Sequence, residues 1–258
     1  MVAYKENFVE YMLCLALDVG EGMLKNGAEI SRVEDTIERI CRAYGAQHVE
    51  VFTIVSVINA SVRMPDGEYS SQMRRVKSTT MNLYKLEELN NISREVCAAT
   101  PALSEFDEKI QAARRTSVYP VWLQILAFAA AAGAFAVFFG GGVLDTVVAM
   151  LAGALMFCIE NYTSRRLNGI AKIVLSSFAV SLLAGLSVMI GLGDDSGAII
   201  MGALMLLVPG VAIGLAMRDV FCGDILSGTL KLIQACLSAL MIAFGYILAA
   251  LIIGGGVI

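Results

Sequence analysis

The sequence predicts an α+β cytoplasmic domain followed by an all-α membrane bundle of five transmembrane helices. The chain of 258 residues is 57% hydrophobic, which is more apolar than an ordinary soluble domain. Its charges are also unevenly distributed, because residues 1–118 hold 14 of the 19 Lys and Arg and 17 of the 23 Asp and Glu. We therefore predict one domain over residues 1–118 and a second over residues 119–258.

The amino-terminal domain begins with helical periodicity. Apolar residues at helical spacing predict helices over residues 4–25 and 31–44. The Asn26-Gly27 pair between them is typical of a helix end. Ser31 and Glu34 have the spacing of a capping box at the start of the second helix.

Strand-forming residues follow these two helices. Residues 48–64 are rich in Val, Ile, Phe and Thr, which favour strands. The turn sequence Pro65-Asp66-Gly67 then allows residues 68–76 to return as a further strand. Helices over residues 82–99 and 103–115 complete a small α+β domain built around a short meander.

The carboxyl-terminal domain contains five apolar runs, and about 20 apolar residues are needed for a helix to cross the hydrocarbon core. Backbone groups in lipid must bond to each other, which favours helices. Small residues such as Gly153 and Gly202 allow close helix packing. The predicted spans are residues 120–139, 143–159, 173–192, 198–217 and 232–253.

Basic residues in the short connections predict the orientation of these spans. They all lie in one alternate set of connections, while the opposite connections, at residues 139–143 and 191–197, carry no basic residue. Cytoplasmic loops carry the excess of Lys and Arg. We therefore predict a multi-pass membrane protein with the amino terminus in the cytoplasm and the carboxyl terminus outside. The basic residues are Arg114, Arg115, Arg165, Arg166, Lys172, Arg218 and Lys231.

Composition and motifs argue against several classes of function. Six widely spaced cysteines and the single His48 offer no metal-ligand spacing. The chain has no Ser-His-Asp set and no Gly-rich phosphate loop, and its net charge of -4 gives no reason to expect nucleic acid. We expect no metal, no cofactor and no enzymatic activity, and we read the cysteines as reduced, mostly buried thiols.

The fourth predicted span contains an unusual pair, Pro209-Gly210. Pro209 cannot donate a hydrogen bond to the carbonyl of Met205, which leaves that oxygen free, and Gly210 exposes the backbone beside it. A kink in an ordinary bundle helix explains the pair. A broken helix at a transport site, where freed carbonyls and helix ends bind substrate or ions, explains it equally well.

Polar residues beside the membrane are the other candidates, because such groups are costly and are often functional. Glu160 and Asn161 end the second span, where Glu160 can form an interfacial ion pair with the nearby arginines or carry a proton. Asp145 can cap a helix or be functional. Further candidates near the fourth and fifth spans are Arg218, Asp219, Asp224 and Ser227.

Charged residues also lie along the second soluble helix, and they include Glu29, Arg32 and Glu34. Their spacing of three and four residues is typical of a solvated helix face with side-chain pairs. The alternative is a docking surface or a cytoplasmic gate.

The stretch PGVAIGLAMRDVFCGDILSGTLKLIQACLSALMIAFG, residues 209–245, resembles the membrane signature of the threonine/serine exporter family. The segment NGAEISRVEDTIERI, residues 26–40, is similar to the amino-terminal motif of the same family. The residues that carry the resemblance, in order, are Gly27, Arg32, Val33, Glu34, Pro209, Gly210, Arg218, Asp219, Gly223, Asp224, Ser227, Gly228 and Gly245.

The resemblance implies an exporter in the cell (inner) membrane for small hydrophilic carboxylates, such as threonine and serine or dicarboxylates such as succinate. Longer family members fuse two five-span sets, and this chain has only the first. A second small multi-span membrane subunit is therefore expected as partner, inverted in the bilayer, and a higher oligomer is possible.

Within this scheme Arg218 attracts a substrate carboxylate, and Asp219, Asp224 or Glu160 carries a proton driven by the proton-motive force. Pro209 and Gly210 open the backbone nearby. The alternative function is a membrane-anchored sensor or scaffold without transport activity.

Overall fold

The computed structural model describes residues 8–77, 79–115, 119–163 and 167–254. The chain divides into two compact units. The first unit comprises Met1–Val118 together with Gly214–Leu232, and the second comprises Tyr119–Ile213 together with Ile233–Ile258.

The first unit begins with two helices, as the periodicity predicted: α1 (Phe8–Lys25) and α2 (Ile30–Ala43). The predicted stop between them is confirmed, because Gly27 has a φ of 92°, which side chains rarely allow. Two later helices, α3 (Leu83–Ala99) and α4 (Leu103–Arg115), lie where they were predicted.

The strand-forming residues make a three-stranded antiparallel meander in the order β1-β2-β3. Its strands are β1 (His48–Ile54), β2 (Val57–Arg63) and β3 (Tyr69–Arg75). The run 48–64 therefore holds two strands joined by a tight turn. Along β2 every second residue is buried, which turns one face of the sheet toward the core.

The core of this unit is formed mainly by apolar side chains of α1 and α2. Phe106 of α4 is fully buried among them, and its ring stacks on that of Tyr44. Ile58 of β2 is also fully buried and packs into the same core from the sheet. Removal of these side chains from water stabilises the unit, since each large apolar side chain contributes about 1.5–3 kcal/mol when fully buried.

The second unit contains three long helices, α5 (Val121–Phe138), α6 (Val143–Tyr162) and α7 (Gly169–Met189), and the short helix α8 (Ser196–Leu204). The predicted close packing at small residues is confirmed at two of them. A Cβ on Gly153 of α6 would lie 2.7 Å from the Phe128 carbonyl oxygen of α5, and one on Gly202 of α8 would lie 2.8 Å from the Ala136 nitrogen.

Two further helices complete the chain, α9 (Gly210–Phe221) and α10 (Ile225–Ile253). The long α10 begins earlier than the predicted fifth span, which was expected to start at residue 232. In the second unit its later turns pack on α7, where the Ser177 hydroxyl donates to the Ile242 carbonyl at 2.6 Å.

The predicted fold class is wrong in its number of spans. Four helices of the described residues, α5, α6, α7 and α10, are long and apolar enough to cross a membrane. The predicted fourth span is broken, because α8 has 9 residues and α9 has 12. At 1.5 Å per residue these helices are about 14 and 18 Å long, each shorter than the roughly 30 Å hydrocarbon core.

The physical cause of the break is the proline ring, which removes one donor and clashes with the carbonyl four residues earlier. The helix therefore stops at Leu204, and a turn leads into α9. The fold is accordingly mostly helical with a small three-stranded sheet, and not an α+β domain followed by five spans. Residues Gly214–Leu232 moreover group with the amino-terminal unit.

Asp145 is a structural cap in the second unit. It is 2% exposed, and its carboxylate accepts N–H bonds from Gly142 at 2.9 Å, Asp194 at 2.8 Å and Asp195 at 3.1 Å. One side chain therefore holds the start of α6 and the α7–α8 connection together. This geometry favours the capping interpretation of Asp145.

Candidate functional site

The corner between α9 and α10 brings several predicted site residues together within the first unit. Gly223 has a φ of 99°, and the Asp224 N–H donates to the Asp219 carbonyl at 2.9 Å. The two helices meet closely just beyond the corner, since a Cβ on Gly228 would lie 2.6 Å from the Ala216 carbonyl oxygen. Only glycine fits both positions without strain.

Asp219 and Lys231 form an ion pair across this corner. The Lys231 Nζ lies 2.6 Å from Asp219 Oδ2, and the two side chains are 16% and 1% exposed. Desolvating two charges is costly, and the attraction between them offsets that cost only with good geometry. The pair is therefore weak evidence for stability, but either charge without the other would be strongly unfavourable.

A second ion pair joins the corner to the amino-terminal motif. The Arg218 Nη1 lies 2.7 Å from Glu29 Oε1, with Arg218 63% exposed and Glu29 15% exposed. We call Glu29, Arg218, Asp219, Asp224 and Lys231 the corner cluster. It unites residues from the two segments that carry the family resemblance.

Glu34 lies close to this cluster, but it does not form the predicted capping box. Helix α2 has no side-chain cap, and Glu34 Oε1 instead accepts the Thr53 N–H at the end of β1, at 2.6 Å. Burial raises the pKa of Glu34, the Thr53 hydrogen bond opposes this, and the charge of Asp224 adds to the rise. Burial and the charge of Asp219 likewise raise the pKa of Asp224, against the lowering effect of Lys231.

The pH dependence of stability should reveal the raised pKa of Glu34. A raised folded-state pKa contributes stability that is present below the unfolded value of about 4.3 and is lost as pH rises through the folded-state value. We expect the melting temperature of wild type, relative to Glu34→Gln, to fall as pH rises above about 4.3. Glu38→Gln on the same helix is the matched control, and a flat difference for Glu34→Gln would contradict the prediction.

Other predicted residues lie outside the corner cluster. Arg32 is exposed on α2 and lines a groove of about 440 Å³ with Asp35 and Arg39. Ser227 is buried in the first turn of α10. Because α10 begins at residue 225, Ser227 and Lys231 belong to a helix and not to a loop.

Glu160 and Asn161 belong to the second unit, at the end of α6. Glu160 Oε2 lies 3.8 Å from Lys172 Nζ, whereas Asn161 is exposed. The predicted ionic partners of Glu160, Arg165 and Arg166, lie outside the described residues.

Pro209 and Gly210 lie at the break between α8 and α9. They also belong to the second unit, close in sequence to its boundary at Ile213. The predicted free carbonyl of Met205 is not free, because the Val208 N–H donates to it at 3.3 Å. The Gly210 N–H donates to the Val208 carbonyl at 2.8 Å. A tight turn therefore supplies hydrogen bonds to part of the backbone that the proline leaves without intrahelical partners.

The sequence places Lys231 at the end of a candidate stretch that begins at Arg218, but it assigns this lysine no role in the site. The signal that could have found it is its position, because Lys231 is the single charged residue of the 29-residue helix α10. A lone charge in an apolar helix indicates either a partner or a function.

The cysteines form no disulfide, and all six are free. Cys41 is buried, whereas Cys222 at the corner and Cys236 on α10 are exposed, so fewer are buried than predicted. Burial raises the pKa of Cys41 to about 12. Among the described residues no group of three or more His, Cys, Asp or Glu could hold a metal ion.

Comparison with known proteins gives a consistent result. Residues 14–253 match the ThrE model, which describes threonine/serine exporters. The chain is 27% identical to the "Probable succinate transporter subunit YjjP" of Escherichia coli K12, over 93% of this chain and 94% of the relative. The protein of the same name from Klebsiella aerogenes is also 27% identical, over 88% of each chain.

A longer relative matches over part of its length. The "Probable threonine/serine exporter" of Mycobacterium tuberculosis is 23% identical over 92% of this chain and 45% of the relative. No solved structure matches the chain.

Proposed function

Because the chain belongs to the threonine/serine exporter family, a family of membrane transporters and not of enzymes, we propose that it is one subunit of a secondary exporter. The proposed substrates are small hydrophilic carboxylates, either threonine and serine or a dicarboxylate such as succinate. The relatives named succinate transporter subunits cover nearly the whole chain. Their name supports the need for a second membrane subunit.

The corner cluster is the observation that carries the proposal. Arg218 and Lys231 are two cations, and each is held by a carboxylate at hydrogen-bond distance. A substrate carboxylate offers the same two oxygens to a guanidinium or an ammonium group. Substrate can therefore replace Glu29 at Arg218 and keep the guanidinium paired, while the Glu29 carboxylate loses its partner.

We assign coupling to the proton-motive force, with Asp219, Asp224 or Glu160 as the proton carrier. Asp224 is favoured because its pKa is raised by burial and by Asp219. A carboxylic acid with a raised pKa can gain and lose its proton nearer to cytoplasmic pH.

Pro209 and Gly210 are proposed as a separate element of the substrate path. Broken helices in transporters place backbone groups and helix ends at the substrate or the coupling ion. Four apolar helices support a multi-pass membrane protein, and the predicted orientation, with a cytoplasmic amino terminus and an outside carboxyl terminus, remains part of the proposal.

The test is counterflow of labelled serine, threonine and succinate in proteoliposomes, with and without a co-expressed small membrane subunit from a neighbouring reading frame. We expect accumulation of at least one substrate only when both subunits are present. Liposomes with the second subunit alone provide the control. Absence of flux for all three substrates with both subunits inserted would overturn the proposal and favour a sensor or scaffold.

A further inference from the structure

A cavity of about 700 Å³ in the first unit is lined by residues of α1, β3, α3 and α4, and none of its lining residues belongs to the corner cluster. This volume is within the range of small-molecule sites, about 300–1,000 Å³. Its walls include apolar groups such as Gly22, Leu89 and Ala113. The mechanism of transport proposed above makes no use of it.

The charges that line this cavity do not balance. Its charged side chains are Asp18, Glu21, Lys25, Arg74, Lys85 and Arg114, so four cations face two carboxylates. This leaves an excess of two positive charges within one concave site. A cleft of one charge sign, bounded by protein, concentrates the opposite charge.

Asp18 orders the two arginines but uses only part of their capacity. Its Oδ2 lies 3.0 Å from Arg114 Nη2, and its Oδ1 lies 3.7 Å from Arg74 Nε. Each guanidinium carries five N–H donors. Arg74 Nη2 also donates to Cys14 Sγ at 2.8 Å. The Asp18 carboxylate therefore positions a pair of planar donor groups, whose remaining donors are left for another anion.

The two lysines add cationic groups to the same cavity. Lys25 pairs with Glu21 on its own helix and is 44% exposed. Lys85 Nζ donates to the Arg114 carbonyl at 3.4 Å, a neutral partner that does not compensate its charge. Lys85 is therefore the cation whose charge an incoming anion would compensate most directly.

We propose that this cavity binds a small anion with two negative charges. The ligand is held by Lys85, Lys25 and the donors of Arg74 and Arg114 that Asp18 leaves unused. A dicarboxylate and a phosphate group share this chemistry. The site is a binding site within the amino-terminal unit, and its existence does not depend on the proposed transport function.

The test is calorimetric titration of the full-length protein in detergent with succinate and with inorganic phosphate, in separate arms. Succinamide, which is neutral, controls for the charge of succinate. The variants are Lys85→Ala and Lys25→Gln, with Lys77→Ala as the control because Lys77 is exposed and does not line the cavity. Arg218→Gln separates this site from the corner cluster.

We expect at least one dianion to bind, and Lys85→Ala to weaken its binding about tenfold or more, as for the loss of a charge-assisted hydrogen bond. Lys77→Ala should retain wild-type affinity, whereas any binding lost in Arg218→Gln belongs to the corner cluster, the proposed substrate site. The arm that binds identifies the anion.

Three results would each overturn the proposal. These are no binding of either dianion to wild type, succinamide binding as tightly as succinate, or unchanged affinity in both lysine variants with wild-type melting temperatures. Loss of binding in Arg218→Gln but not in the lysine variants would place the anion at the corner cluster instead. Counterflow is measured separately and the lysine variants change only this cavity, so a failure here is distinct from a failure of transport.

Discussion

Asp219→Asn is expected to abolish transport in proteoliposomes and to lower the free energy of unfolding by about 3 kcal/mol. The substitution leaves the Lys231 ammonium, 16% exposed, without its carboxylate at 2.6 Å. A charge that has lost its partner in a desolvated position carries the whole desolvation cost. Counterflow and thermal melting in detergent measure the two effects on the same preparation.

A double variant separates the structural role of this pair from its role in transport. Replacing both members by apolar residues, as in Asp219→Leu with Lys231→Met, removes both charges and should restore most of the lost stability. Transport should stay abolished, because the cation and the titratable carboxylate are both gone.

The exposed pair of Asp35 and Arg39 supplies the control for this experiment. Asp35→Asn should leave melting and counterflow unchanged, since exposed pairs contribute little. If transport returned in the apolar double variant, the pair would be shown to have no part in the mechanism.

Arg218→Gln is expected to reduce transport about 10- to 100-fold at low substrate concentration, as for the loss of a hydrogen bond to a charged group. Its melting temperature should also fall, because Glu29, 15% exposed, loses its partner, but by less than in Asp219→Asn, since the Arg218 side chain is 63% exposed. The measurement is the initial counterflow rate over a range of substrate concentrations.

The partner variant Glu29→Gln should act in the opposite direction. If Glu29 competes with substrate for Arg218, its neutralisation frees the guanidinium and lowers the apparent KM. Arg42→Gln, which disturbs an exposed pair on α2, is the matched control. Equal losses in Glu29→Gln and Arg218→Gln, with KM unchanged, would refute competition and identify the pair as a structural latch.

Local sequence patterns predicted the local elements of the fold well. Helical periodicity and the Asn26-Gly27 stop located α1 and α2, and the Pro65-Asp66-Gly67 turn located β3. These features depend on neighbouring residues, so their physics is visible in a short window. The Ser31 and Glu34 capping box failed because Glu34 finds a better donor in Thr53, which is distant in sequence.

The errors in the membrane region have an equally physical cause. Residues 198–217 are apolar throughout. A hydropathy average does not detect that Pro209 lacks a backbone hydrogen-bond donor. The start of α10 was misplaced for the opposite reason, because the charge of Lys231 suggested a loop. A helix carries that charge at low exposure since Asp219 compensates it.

The composition of the candidate site was largely predictable, but its pairings were not. Arg218, Asp219 and Asp224 were selected as costly charges beside apolar helices. Nothing in the spacing of residues could match Glu29 with Arg218, because such a contact depends on tertiary packing. Lys231 was passed over for the same reason.

The exposed thiol of Cys222 makes the corner a natural position for a fluorescent reporter. Cys222 lies three residues beyond Asp219 and is exposed, whereas Cys41 is buried with a pKa of about 12 and carries almost no reactive thiolate at neutral pH. With Cys236 and the half-buried Cys14, Cys97 and Cys158 changed to serine, a maleimide dye should label mainly Cys222. Its emission would then follow, in real time, the exchange of Glu29 for substrate at the neighbouring arginine.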